Sequence, residues 1–179
     1  YNAAGIYSYY SHVINTTIVN NVGTQYGGLY AYASSSYTLT NLIIWGNSSS
    51  YYLSGGSITY SAIQANSVSG TGNIALNVDN DGEGAGNYVR FLAPEHGVYQ
   101  LQNESSVIGM GDNSVSGLPE KDLAGRDRIM GGTIEPGAYE QYCTEYRYKT
   151  INLNAGGTYN FYGSFISQPG TYMHQWSCR

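Results

Sequence analysis

Along the first third of the chain, apolar and polar positions recur in blocks. "VINTTIVNN" at 13–21 returns as "LTNLIIWGN" at 39–47 and, more loosely, as "ITYSAIQAN" at 58–66. "GIYSY" at Gly5 precedes the first block as "GLYAY" at Gly28 precedes the second. The blocks start 26 and then 19 residues apart. A spacing of about twenty residues suits one rung of a β-solenoid, whose rungs stack because none buries its apolar face alone.

Aligning the blocks produces columns: Val13, Leu39 and Ile58; Thr16, Leu42 and Ser61; Ile18, Ile44 and Ile63. Like residues in columns are what parallel, in-register stacking requires. The two large apolar columns are five residues apart, which breaks the two-residue period of a strand. A bend between them restores the parity. Asn15 and Asn41 stand at that bend, and Asn tolerates the left-handed conformation of a tight corner. Their side chains are expected to bond one another as a short ladder that stops at Tyr60.

The stretches "NNVGTQYGG" and "GNSSSYYLSGG" predict corner loops of unequal length. The first rung needs a cap or more rungs upstream, and missing rungs are the expectation. "YNAAGIYSYY" has neither the basic nor the apolar region of a signal peptide, so the chain reads as a fragment or processed product.

Beyond Val68 the repeat dissolves. Strands are predicted at Tyr88–Leu92, Val98–Leu101 and Val107–Ile108, each bounded by Gly, Pro or Asn. After Glu140, large residues alternate around turns at "NAGG" and "QPG", which is hairpin material. The chain therefore divides into a solenoid over 1–140 and a small β-rich tail over 141–179.

Composition agrees with an all-β reading. The 20 Tyr and 24 Gly favour strands and turns, and no stretch has a helical period. Charged residues make up 11 %, against about 25 % in an ordinary domain, so Asn, Ser, Thr, Tyr and Gly must supply the polar surface. A net charge of −5 with seven dispersed basic residues argues against nucleic acid. No apolar run is long enough to span a membrane.

Against that background "LPEKDLAGRDRIMGGTIEPGAYE" (118–140) is unusual, because it carries eight of the chain's charged residues. An active site is one reading. The other is a closing segment in which Asp122 pairs with Arg128 at the end of the solenoid, away from any groove along the rungs, and Asp127 caps a turn.

The carboxy-terminal text resembles a known family. "FLAPEHGVYQLQNESSVIGMGDN" followed by "DLAGRDRIMGGTIEPGAYE" is similar to the end of secreted right-handed parallel β-helix proteins, the pectin-lyase-like surface proteins of Bacteroidetes-type bacteria. Asp122, Ala124, Gly125, Arg128, Gly137, Ala138, Tyr139 and Glu140 match that closing pattern. Glu135 and Pro136 replace a common Asp-aliphatic pair, and Gly109 and Met110 stand where Asp-Ala is usual. The tail "INLNAGGTYNFYGSFISQPGTYMHQWSC" resembles a short β-repeat of large surface adhesins. The resemblance implies a right-handed parallel β-helix with a hairpin tail, on a secreted or cell-surface protein outside the outer membrane. It implies an adhesin or scaffold that contacts a glycan or a cell-surface protein and is not catalytic in this segment. The same fold also hosts polysaccharide lyases and glycoside hydrolases, with a site on upstream rungs, and purely structural stalks.

Candidate chemistry is sparse. Residues 3–66 contain no Asp, Glu, Lys or Arg, so these rungs lack the carboxyl pair of a glycosidase and the charged groups of a lyase. His12 is alone. Asp79, Asp81 and Glu83 alternate like the start of a Ca²⁺ loop, but Arg90 stands at its twelfth position, so a Ca²⁺ site competes with a solvated acidic turn. Cys143 and Cys178 form either one local disulfide or two free thiols. Nine tyrosines (7, 9, 10, 26, 30, 32, 37, 51 and 52) crowd the first rungs. Tyr9, Tyr10, Tyr32, Tyr51 and Tyr52 are the candidate ligand contacts, against a role in filling strand faces.

Overall fold

The computed structural model describes residues 5–78, 86–130, 132–141, 144–154, 156–161 and 164–177. The chain divides into two compact units, Tyr1–Gln141 and Tyr142–Arg179.

In the first unit each sequence block, together with the stretch just before it, yields three short strands. The first gives β1 (Ile6–Tyr9), β2 (Val13–Ile14) and β3 (Thr17–Val19). The second gives β4 (Leu29–Tyr32), β5 (Leu39–Thr40) and β6 (Ile43–Trp45). The third gives β7 (Tyr51–Ser54), β8 (Ile58–Thr59) and β9 (Ala62–Gln64), and β10 (Ile74–Leu76) follows. Corresponding strands pair in parallel, forming the sheets β1-β4-β7, β2-β5-β8 and β3-β6-β9-β10. The fold is all-β, and its one helical turn among the described residues is a 3-10 turn at Pro94–His96.

The register is the one the columns predict. Val13 faces Leu39 and Leu39 faces Ile58; Ile18 faces Ile44 and Ile44 faces Ile63. These side chains are buried with Leu29, Ala31 and Leu42 in one core. Each buried Ile or Leu contributes roughly 1.5–3 kcal/mol relative to exposure, so the apolar columns fix the register. The bend falls where predicted: Asn15, Asn41 and Tyr60 have φ of 47°, 55° and 47°. Asn41 Nδ2 donates to Asn15 Oδ1 at 3.2 Å, and the ladder ends at Tyr60.

The sheet β3-β6-β9-β10 is buried on both faces. Ile18, Ile44 and Ile63 enter the first core. Ile43, Ala62 and Leu76 enter a second, with Val89, Phe91, Leu101 and Val107. That outer layer includes β11 (Phe91–Ala93) and β12 (Val98–Leu101), which pair antiparallel. The strand expected over Tyr88–Leu92 therefore begins later, at Phe91. Val107–Ile108 lies in turns, where Ser105 Oγ donates to the Val89 carbonyl and accepts the Val107 N–H. A serine hydroxyl has taken over the bonding a ladder would supply.

The segment after Met110 carries Asp122 and Arg128, and its Leu123, Ala138 and Tyr139 line a pocket with Gly5, Ile6 and Ile18 of the first rung. It runs back beside the first two blocks. Gly137 N–H donates to Asn41 O at 2.8 Å, Ala138 N–H to Thr17 Oγ1 at 3.0 Å, and Asn15 Nδ2 to Glu135 O at 3.4 Å. The approach requires glycine: φ at Gly137 is +94°, and a Cβ there would lie 2.7 Å from both Ile43 Cδ1 and Thr17 Oγ1.

In the second unit, β13 (Thr144–Ile151) pairs antiparallel with β16 (Gly170–Ser177). Between them in sequence, β14 (Tyr159–Phe161) and β15 (Ser164–Ile166) form a tight antiparallel pair. "NAGG" thus joins strands that do not pair with each other. Ile151 and Phe161 are buried, and the Phe161 ring lies 6.3 Å from that of Tyr172.

Candidate functional site

The β1-β4-β7 sheet alternates small or aliphatic residues inward with tyrosines outward. Leu29 and Ala31 are fully buried, whereas Tyr30 and Tyr32 between them are not. Parallel in-register pairing then stacks equivalent tyrosines. Tyr7 faces Tyr30, which faces Tyr52, and Tyr9 faces Tyr32. The Tyr7 and Tyr30 rings are 5.3 Å apart at 7°, and those of Tyr30 and Tyr52 are 4.8 Å apart at 17°. Tyr26 leans on both Tyr30 and Tyr52, and Tyr30 OH donates to Tyr32 OH at 3.0 Å. The bond to Tyr32 and the surrounding rings hold the Tyr30 proton well beyond the ordinary phenol range. Residues 3–66 contain no Asp, Glu, Lys or Arg, so no acidic or basic side chain of these rungs interrupts the face.

Of the predicted contacts, Tyr9, Tyr32 and Tyr52 share this face. Tyr10 joins a neighbouring group with Tyr37 and His12 at the corner. Tyr51 is a correction: one residue out of phase with Tyr52, it packs against the inner core. Tyr7, Tyr30 and Tyr26 belong to the face although the sequence reading did not select them. The missed signal was the shared register of Tyr7, Tyr30 and Tyr52, one residue after Ile6, Leu29 and Tyr51. His12 has a structural task, its Nδ1 accepting the Thr38 N–H at 3.0 Å.

No known family model, curated protein or solved structure matches the chain.

The charged segment forms a separate, buried cluster. Asp122, Arg128, Glu135 and Glu140 are at most 6 % exposed. Asp122 and Arg128 do not pair with each other, and both are tied to Glu140. Asp122 Oδ2 accepts the Glu140 N–H at 3.0 Å, while Asp122 Oδ1 accepts the N–H groups of Ala124 and Arg126 at 2.8 Å each. Arg128 Nη1 donates to Glu140 Oε1 at 3.0 Å and to the Gly137 carbonyl at 3.1 Å. Glu140 is the partner more distant in sequence, 18 residues from Asp122 and 12 from Arg128. Asp127 pairs instead with Lys121.

Glu135 and Glu140 form a carboxyl pair. Burial first, then a hydrogen bond to Glu135 and its charge, push Glu140 up to about 8, against the opposing pull of Arg128. Paired carboxyls with one raised pKa also occur in acid–base sites. Here Glu140 is fully buried and Glu135 is held by the N–H groups of Gly109 and Gln141, at 3.1 and 2.9 Å. A substrate has no access to these carboxyls, and the cluster fastens the closing segment.

Asp79, Asp81, Glu83, Cys143 and Cys178 lie outside the described residues. Among the described residues, no group of three or more His, Cys, Asp or Glu is placed to hold a metal, and no helix is long and apolar enough to cross a membrane.

Proposed function

We propose that this chain is part of a secreted or cell-surface protein of the pectin-lyase-like, right-handed parallel β-helix kind. It serves as an adhesin or scaffold on the exterior of a bacterial outer membrane, with residues 141–179 as an adhesin-type repeat. Its outward tyrosine face contacts a glycan or a cell-surface protein. The observation that carries this reading is the column Tyr7–Tyr30–Tyr52 flanked by Tyr9, Tyr32 and Tyr26, an aromatic strip on an uncharged surface. Tyrosine presents a large amphipathic surface with little rotamer entropy to lose, which suits recognition. The three stacked parallel sheets and the columns of like residues support the β-helix reading.

A glycan array probed with the purified chain tests the proposal, with Tyr9→Ser/Tyr52→Ser alongside. Binding that weakens at least tenfold in the double variant supports it. Binding to no glycan and no bacterial or host surface protein would sink it.

A further inference from the structure

Two of the outward tyrosines repeat at the spacing of the strands themselves. In β4 and β7, Tyr30 faces Tyr52, and their rings are 4.8 Å apart at 17°. Neighbouring strands of a sheet lie about 4.8 Å apart. The Tyr52 ring is therefore close to a translated copy of the Tyr30 ring, with like carbons over like carbons. Other neighbours meet at different angles. Tyr26 meets Tyr30 at 4.6 Å and 56°, and Tyr9 meets Tyr10 at 4.5 Å and 64°. Tyr7 also stacks on Tyr30, at 7°, but its ring is 5.3 Å away.

The angle between the rings decides one reaction of phenols. A phenol that loses an electron and a proton becomes a phenoxyl radical. Its unpaired electron is shared between the oxygen and the ring carbons ortho and para to it, in an orbital perpendicular to the ring plane. Two stacked rings point these orbitals at each other, whereas a tilted pair points one of them at an edge. The para carbon carries the rest of the side chain, so coupling falls on the ortho carbons. Tyr30 and Tyr52 combine the alignment with the shorter distance.

Their surroundings suit the oxidation. Tyr30 OH donates to Tyr32 OH at 3.0 Å, so an acceptor for the proton is in place as the electron leaves. Tyr52 is 38 % exposed and open to an oxidant in solution. Apart from Trp45, residues 1–66 contain no Cys, Met or Trp to be oxidised in their place. Trp45 belongs to β6, where its ring meets that of Phe91.

We infer that Tyr30 and Tyr52 form a dityrosine cross-link when the protein meets hydrogen peroxide and a peroxidase. Each phenol gives up one electron and one proton, and the peroxide takes up all of them to yield two molecules of water. The two radicals join in a carbon–carbon bond between their ortho carbons. Each joined carbon then releases its hydrogen as a proton, its ring oxygen takes one up, and both phenols are restored. The chain ends lighter by two hydrogen atoms. The new bond staples β4 to β7, and it needs no ligand, so it stands apart from the glycan-contacting reading. Closing a loop covalently restricts the unfolded chain, so the linked protein should unfold at higher urea.

The test exposes the purified full chain to a haem peroxidase and limiting hydrogen peroxide. The monomer fraction is isolated, its dityrosine fluorescence and mass are measured, and its linked peptides are mapped. The expected result is a monomer lighter by two hydrogen atoms, with Tyr30 joined to Tyr52. The signal should be lost in Tyr30→Phe and in Tyr52→Phe, which keep the ring without the hydroxyl, and should persist in Tyr10→Phe. Mapping the parent chain decides the pair even where a variant fails to fold. Dityrosine found only between molecules, or a link from Tyr30 to Tyr7 or Tyr26 instead, overturns the assignment. An equal yield of the Tyr30–Tyr52 link from the chain unfolded in urea also overturns it, because the stack would then play no part. A mapped link that leaves the urea midpoint unchanged overturns the role as a staple.

Discussion

Asn41 donates from Nδ2 to Oδ1 of Asn15 at 3.2 Å, across a corner where both residues hold left-handed backbone. Asn41 also binds the closing segment at both ends of its amide, since Oδ1 accepts the Asp112 N–H at 2.8 Å and Nδ2 donates to the Asp112 carbonyl at 3.1 Å. One fully buried side chain thus joins two repeats and fastens the segment that returns beside them.

Replacing Asn41 should therefore cost more than one hydrogen bond. Asn41→Ala leaves the Asp112 amide and carbonyl without their partner and places an alanine at positive φ. Each orphaned group costs about 1–3 kcal/mol and the backbone about 1 kcal/mol more, so a loss of about 3–7 kcal/mol is expected in urea unfolding. Asn41→Gly relieves only the backbone part and should fall about 1 kcal/mol short of the alanine loss. Equal losses in the two variants would show that backbone conformation contributes nothing at this corner.

A double-mutant cycle separates Arg128 from Glu140. Above about pH 8, where Glu140 is ionised in the folded chain, Arg128→Met removes the cation beside a buried carboxylate, and breaking such a pair typically costs about 3–5 kcal/mol. With Glu140→Gln already in place, the same change should cost about 1–2 kcal/mol less, because no carboxylate is left uncompensated. Additive losses would mean that Arg128 acts through the Gly137 and Ala138 carbonyls alone, to which it also donates at 3.1 and 3.2 Å.

The pH dependence has a definite sign. Glu140 has an ordinary value of 4.5 and is raised to about 8 in the folded chain, where it faces Glu135, Arg128 and, through its backbone, Asp122. Between those values the folded state keeps a proton that the unfolded state has released. The group's contribution to stability is thus complete below 4.5 and lost as the pH rises through about 8. The urea midpoint should fall between about pH 5 and pH 8.5, and Glu140→Gln should flatten that part of the profile. A slope unchanged in Glu140→Gln would assign it to other groups.

The sequence makes the stacked part of the fold legible and the rest only in part, for a physical reason. In-register stacking writes itself as columns, so Val13, Leu39 and Ile58 announce their own contacts and Asn15 and Asn41 announce the bend. Contacts made across long sequence distances leave no such trace. Nothing near Asp122 marks Glu140 as the residue that would draw both Asp122 and Arg128. Nothing near Gly137 says that it must lie against Thr17. The tyrosines fall between these cases. Their abundance was plain, but choosing among them required the strand register, which turns Tyr52 outward and Tyr51 inward.

That register separates two roles for tyrosine. Tyr30 lies between Tyr7 and Tyr52, so its ring faces are covered by neighbours and it contributes mainly to the stack. Tyr9 is 59 % exposed and leaves most of its surface to solvent. Stacked aromatic pairs contribute about 0.5–1.5 kcal/mol each, and Tyr30 makes two, besides the bond to Tyr32. Tyr30→Ser should therefore lower stability by about 2–3 kcal/mol, and Tyr9→Ser should stay within about 0.5 kcal/mol of the parent. Ligand binding should divide the other way for Tyr9→Ser, with folding intact and affinity reduced. Thermal unfolding and glycan titration on the same samples measure both quantities. A Tyr9→Ser variant that binds as the parent does, while Tyr30→Ser loses stability as expected, would assign the column to holding the sheet together and move the contact surface elsewhere.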